Sequence, residues 1–209
     1  VESNTVTIKA GERVAKFRMK GIYENIDKTD SLSVTFNLLA KDENVWDLYG
    51  TRTRVQMQKA CPFELSTFEG YCLLTSSFFS AYMTNTEHRL LQAERDKTED
   101  NTIILHDFFY KNYDLKIKYD PSDPLKPFVE FDDQIIGSTA EAFGTIYGNG
   151  KLMCTQPVAY DSYYNVCQKF VFLYSTIYVV GKGTVGTYVN ILEWISDEEA
   201  EQYKKEEGL

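Results

Sequence analysis

The chain has 209 residues, of which 43% are apolar, 14% aromatic and 25% charged: enough to bury a core, and too aromatic for a disordered segment. Its formal net charge of −9 gives a field that repels phosphate backbones, which argues against nucleic acid as a partner. No run of about 18 apolar residues occurs, so no transmembrane helix is expected.

In chain order, period-two alternation dominates. Residues 13–24, "RVAKFRMKGIYE", read as a first strand that continues the basic-leaning stretch 9–20, whose charges we assign to a solvated face. In residues 31–38, "SLSVTFNL", Leu32, Val34, Phe36 and Leu38 fall on one face opposite Ser31, Ser33, Thr35 and Asn37, as in a half-buried strand. Strands are also predicted over 50–58, 102–110, 113–120 and 168–180, and Cys72 falls on another in "EGYCLLT". The 168–180 segment sets Phe170, Phe172 and Tyr174 against Val171, Leu173 and Ile177, so both of its faces are apolar and burial on both sides is expected. Turns are placed at 24–30, 119–127, 147–150 and 181–186.

Two stretches depart from this rhythm. Residues 85–100, "NTEHRLLQAERDKTED", hold helix formers without a β-branched run and predict a short insertion helix or a loop. The tail "SDEEAEQYKKEE" starts with the N-cap residue Ser196, continues with acids and ends with lysines, as a surface helix should. The fold expected is all-β: an antiparallel closed barrel of calycin-like type, or a sandwich, with a short insertion helix and a C-terminal surface helix. Without repeats or linkers it reads as one β domain over 1–195 and an acidic helical tail over 196–209.

The four cysteines, Cys61, Cys72, Cys154 and Cys167, allow three disulfide pairings. Pairing Cys61 with Cys72 and Cys154 with Cys167 is preferred, because each pair flanks one predicted turn. None lies in a C-x-x-C, and His88 and His106 are remote in sequence, so no metal site is expected. The chain begins at Val1 rather than Met, which together with an even cysteine count suggests a processed protein that is exported (secreted or periplasmic) or delivered to an organelle such as the plastid.

Catalytic and phosphate-binding motifs are sparse. "GSTAEAFGTIYGNGKL" has four glycines, Gly137, Gly144, Gly148 and Gly150, but "GNGKL" lacks the hydroxyl of a P-loop and the third glycine of a dinucleotide loop. These glycines therefore read as β corners and bulges. Asp132 and Asp133 are adjacent and point to opposite faces of an extended chain, so they form no carboxylate pair. Glu24 follows an apolar face and is a candidate for an inward carboxylate, against the plainer reading of a turn residue. Two histidines assemble no convincing nucleophile and base pair.

Read together, "IYENID" (22–27), "FEGYCLLT" (68–75), "DFFYKNYDLKIKY" (107–119), "IIGSTAEAFGTIYGNGKL" (135–152) and "KFVFLYSTIYV" (169–179) resemble the allene oxide cyclase and dirigent-type barrel family. The resemblance spans about residues 13–180 and implies a trimer-forming barrel with cofactor-free isomerase, cyclase or dirigent-like stereocontrol over an apolar substrate. It would make Glu24 and Asn25 the catalytic pair and place Cys72, Phe109, Phe170 and Phe172 around the ligand. The chain departs from the family at Gly137, Ser138, Thr139 and Ala140, where a G-G-T-G is usual, and in its four cysteines. The competing expectation is a non-catalytic structural or interaction module, an accessory subunit that binds protein partners or further copies of itself, with no cofactor.

Overall fold

The structure is a computed structural model and describes residues 5–27, 31–39, 50–83, 85–124 and 126–207. The chain divides into two compact units, Val1–Lys59 and Ala60–Leu209, where a single β domain over 1–195 was expected. The expected turn at 24–30 lies in part outside the described residues.

In the first unit, β1 (Ser31–Asn37) pairs antiparallel with β2 (Arg52–Gln58), with Val34 opposite Val55. The strand expected over 13–24 does not form; a single 3-10 turn, Tyr23–Asn25, stands at its end. A two-stranded ribbon has no second layer of its own to cover its apolar face. Accordingly Leu32 stays 39% exposed, and Ile26 is the sole buried residue among those described in this unit.

The second unit is a closed barrel. Its eight antiparallel strands are β3 (Gly70–Ser76), β4 (His88–Arg95), β5 (Thr102–Leu105), β6 (Leu115–Asp120), β7 (Phe128–Glu130), β10 (Ser162–Asn165), β11 (Phe170–Val179) and β12 (Gly183–Trp194). They run in the ring order β3-β4-β5-β6-β7-β10-β11-β12, and β12 returns to β3, so the ring has no open edge. Residues 85–100 contribute β4 instead of a helix. Pairing on both sides, with Leu91 and Ala93 turned into the core, overrides the helical propensity of that segment.

A hairpin, β8 (Gln134–Ser138) and β9 (Lys151–Thr155), branches from the ring at β11. Phe170 to Phe172 pair with β10, whereas Thr176 to Tyr178 pair with β9, so the sheet forks along one strand. Strands that diverge leave backbone groups without ladder partners, and here side chains replace them. Gln134 accepts from the Lys116 amide and donates to the Lys116 carbonyl, each at 2.8 Å. Gln156 accepts from the Phe131 amide at 3.2 Å, and Ser162 Oγ accepts from the Tyr174 amide at 3.0 Å.

Three short helices complete the unit: α1 (Ser77–Tyr82), α2 (Thr139–Phe143) and α3 (Asp197–Glu207). The C-terminal helix forms as its sequence predicts. Ser196 and Glu199 close a reciprocal cap, Ala200 is fully buried, and the Lys204 ammonium sits 4.2 Å from the Tyr71 ring centroid. The disulfide expectation is corrected: Cys61 bonds Cys167, tying the start of the unit to the β10–β11 turn, while Cys72 and Cys154 are free and buried. Pairing by proximity in sequence fails because both inward strand cysteines are already enclosed by the core.

Candidate functional site

The inward positions of the barrel strands carry side chains that are closed off from solvent. Alternation sends Cys72, Leu74, Ile103, Leu115, Ile117, Val171, Leu173 and Leu192 inward, all at 0% exposure. One aromatic cluster stacks Phe68 on Tyr119 at 4.6 Å and sets Trp194 edge-on to Phe68 at 5.1 Å. A second joins Phe78 to Phe109 at 4.7 Å and Phe109 to Phe108 at 4.4 Å. A buried polar knot is satisfied from within: Ser76 donates to Asn190 Oδ1 at 2.7 Å, and Asn190 donates to Ser175 Oγ and to the Leu173 carbonyl. In the first cluster the Tyr119 hydroxyl and the Trp194 indole N–H are buried without a protein partner.

Within the barrel, the sequence-predicted ligand residues do not share one face. Glu24 and Asn25 lie in the first unit and are exposed, so Glu24 does not enter an interior as its flanking residues suggested. Cys72 and Phe109 are core residues of the barrel. Phe170 and Phe172 occupy its outer face, because the inward positions of β11 are Val171, Leu173, Ser175, Ile177 and Val179. The strand expected to be buried on both sides is thus buried on one and half-exposed on the other.

Cys72, Cys154, His106 and Asp96 are held by their surroundings in structural positions. Burial pushes the Cys72 thiol well above its ordinary value, and burial pushes Cys154 up to about 12, so neither is a thiolate nucleophile near neutral pH. Burial alone would lower the His106 imidazole, but hydrogen bonds and charges from Asp114 at 3.0 Å and Glu94 at 3.2 Å outweigh it and raise its pKa. Asp114 also accepts from the Asp107 amide, so this group braces the β5–β6 turn. The Asp96 carboxylate, 3% exposed, is held well below the usual range by the Lys116 ammonium and by Thr98, which donates from both its hydroxyl and its amide. Among the described residues no group of three or more His, Cys, Asp and Glu could hold a metal ion.

Among the described residues the surface carries several open clefts and a row of exposed rings. A polar cleft of about 450 Å³ lies at the fork, between Lys116, Lys118, Glu130 and Asp132, but its two amides, Gln134 and Gln156, are engaged in bridging the strands. A smaller cleft opens at the barrel end between Tyr82, Phe143 and the β11–β12 turn. The row of rings lies on the outer face of β10 and β11. Tyr160 stacks on Tyr174 at 5.0 Å, Tyr174 meets Phe172 at 5.3 Å, and Phe172 stacks on Tyr163 at 5.4 Å. Tyr160 and Tyr163 are 52% and 41% exposed. Sequence reasoning missed both tyrosines: "DSYYN" shows only one period of alternation, too short to tell which of Tyr163 and Tyr164 points outward.

A protein-family model described as Domain of unknown function (DUF4984) matches residues 48–206. The chain belongs to this family. The match takes in every strand of the DUF4984 barrel and all but the last residue of α3, so the closed-off inward positions and the outer aromatic row both lie within it. No curated protein and no solved structure matches the chain. Among the described residues no helix is long and apolar enough to cross a membrane.

Proposed function

We propose that this protein is a non-catalytic interaction module in which the barrel is a rigid body and the outer aromatic row on β10 and β11 is the contact surface for a protein partner. The observation that carries the reading is the pairing of a packed interior with half-exposed rings outside. A protein that works on an apolar substrate inside its barrel needs unfilled space there, and the inward positions are closed by large side chains at or near zero exposure. Aromatic residues left on a surface are, by contrast, the residue types enriched at protein interfaces. The disulfide supports a place of action in an oxidising compartment, in keeping with an exported protein.

The cyclase or dirigent-like reading shares the closed barrel with this one and differs in what it asks of the interior and of Glu24. The exposure of Glu24 and the core positions of Cys72 and Phe109 weigh toward the interaction reading.

A photo-crosslinking residue placed at Tyr163, with Lys118 on the outer face of β6 as the control position, tests the proposal in cells that make the protein. Discrete protein adducts from position 163 and none from 118 are expected. Absence of adducts from position 163, together with capture of an apolar small molecule by the purified barrel, would replace this reading with the second.

A further inference from the structure

The glycine-rich stretch that fails as a phosphate loop builds the wall of the smaller cleft. We infer that this cleft, beside the β11–β12 turn, is a binding site for a small amphipathic carboxylate: an apolar body of ring size bearing one anionic group. The inference stands independently of the aromatic row on β10 and β11.

The site is an open cleft with a volume of about 300 Å³, at the lower end for small-molecule sites. Its apolar side comes from three elements. Tyr82 ends α1, Phe143 ends α2, and Tyr147 lies in the loop before β9; Tyr82 and Phe143 meet edge-on at 5.4 Å, and Phe143 and Tyr147 at 6.0 Å. Rings set at these angles form two walls of a corner, and Val179 and Val185 close it from β11 and β12.

The walls are fixed before any ligand arrives. The Tyr147 amide donates to Thr139 Oγ1 at 2.9 Å, Thr139 is fully buried, and the Tyr147 carbonyl accepts from the Gly150 amide at 2.8 Å. Gly148, at φ +55°, lets the loop approach the β11–β12 turn so closely that a Cβ would stand 2.7 Å from the Val180 carbonyl oxygen. The same absence of a Cβ leaves room for the stem of Lys182, whose Cγ would lie 3.3 Å from it. A site whose side chains are already placed loses less freedom when it binds.

Charge selects the ligand. Lys182 is the one charged side chain among the lining residues, and among the described residues its ammonium has no ion pair or hydrogen bond within the protein. The acid on the adjoining helix, Glu141, is engaged by Ser138 at 2.7 Å and does not line the cleft. An apolar corner with one free cation at its rim complements an apolar body with one carboxylate. The repulsion from the net charge of −9 is screened beyond about 8 Å at physiological ionic strength.

The test is an NMR amide titration of the full chain with 4-phenylbutyrate and, separately, with the uncharged 4-phenylbutanamide. The expected result is shift changes confined to Tyr82, Phe143, Tyr147 and the residues from Val179 to Val185. The carboxylate should bind about two- to fivefold more tightly than the amide, as for an exposed ion pair. Lys182→Gln should abolish that difference without weakening the amide, and Tyr147→Ala should weaken both probes. Shifts that map to the interior, no shift with either probe, or a carboxylate preference unchanged in Lys182→Gln would each overturn the inference.

Discussion

The two units of this chain use the same alternating pattern to different ends. In the first unit Leu32, Val34 and Phe36 alternate with polar residues as regularly as any strand of the barrel, yet none is buried. In the second, five alternate positions of β11 and three of β3 are buried against a ring of eight strands. Alternation therefore specifies which face is apolar, and only the presence of a facing layer decides whether that face becomes a core. Rows of rings remain outside even in the barrel, at Tyr163 and Phe172, which is the basis for the proposed contact surface.

The largest effect is expected from a hole cut in the barrel. Phe68→Ala empties the centre of the aromatic cluster and should cost about 3–5 kcal/mol, read as a fall in the barrel's urea midpoint and a Tm lower by about 10 °C. Replacing both Cys61 and Cys167 by Ser frees a link between residues 106 apart and should cost about 2–4 kcal/mol by the same measurement. Gly137→Ala should follow at about 1–3 kcal/mol, because a Cβ there would stand 2.5 Å from the Tyr110 ring in an already filled site.

Smaller effects are best read through pH. The Asp96 carboxylate has a depressed pKa, so its contribution is present above about pH 3.9 and is lost as the pH falls through its folded value. His106 has a raised pKa, so its contribution is complete below about pH 6.5 and disappears as the pH rises through its folded value. Denaturation midpoints across pH should show an acid loss that Asp96→Asn removes and a shallow loss near neutrality that His106→Gln removes. The smallest change belongs to the first unit: Leu39→Ala, at a residue 95% exposed, should shift stability by no more than about 0.5 kcal/mol.

How much of this was legible in the sequence depended on where the information sits. The all-β class, β1, β2, β6, β11 and the capped C-terminal helix follow from local pattern and local chemistry. The β4 strand did not, because its helix formers are overruled by pairing with β3 and β5, a non-local effect. Cys61 meets Cys167 only because the barrel closes, so no sequence spacing announces it. Of the glycines of 137–150, Gly137 lies at a bulge and Gly148 and Gly150 in the turn before β9, as read, whereas Gly144 caps the unexpected helix α2, and the Tyr110 ring and the Val180 carbonyl that require Gly137 and Gly148 are distant in sequence. The site residues were harder still: alternation on β11 shows two apolar faces without showing which one looks outward, and Lys182 lies in a turn that announces only a turn.

A crystal pressurised with xenon shows whether the barrel holds space for a ligand inside. Xenon enters dry apolar cavities. The account predicts no xenon within the ring of Phe68, Leu74, Tyr119 and Leu192; an occupied site there would contradict it and return the barrel interior to the position of functional centre.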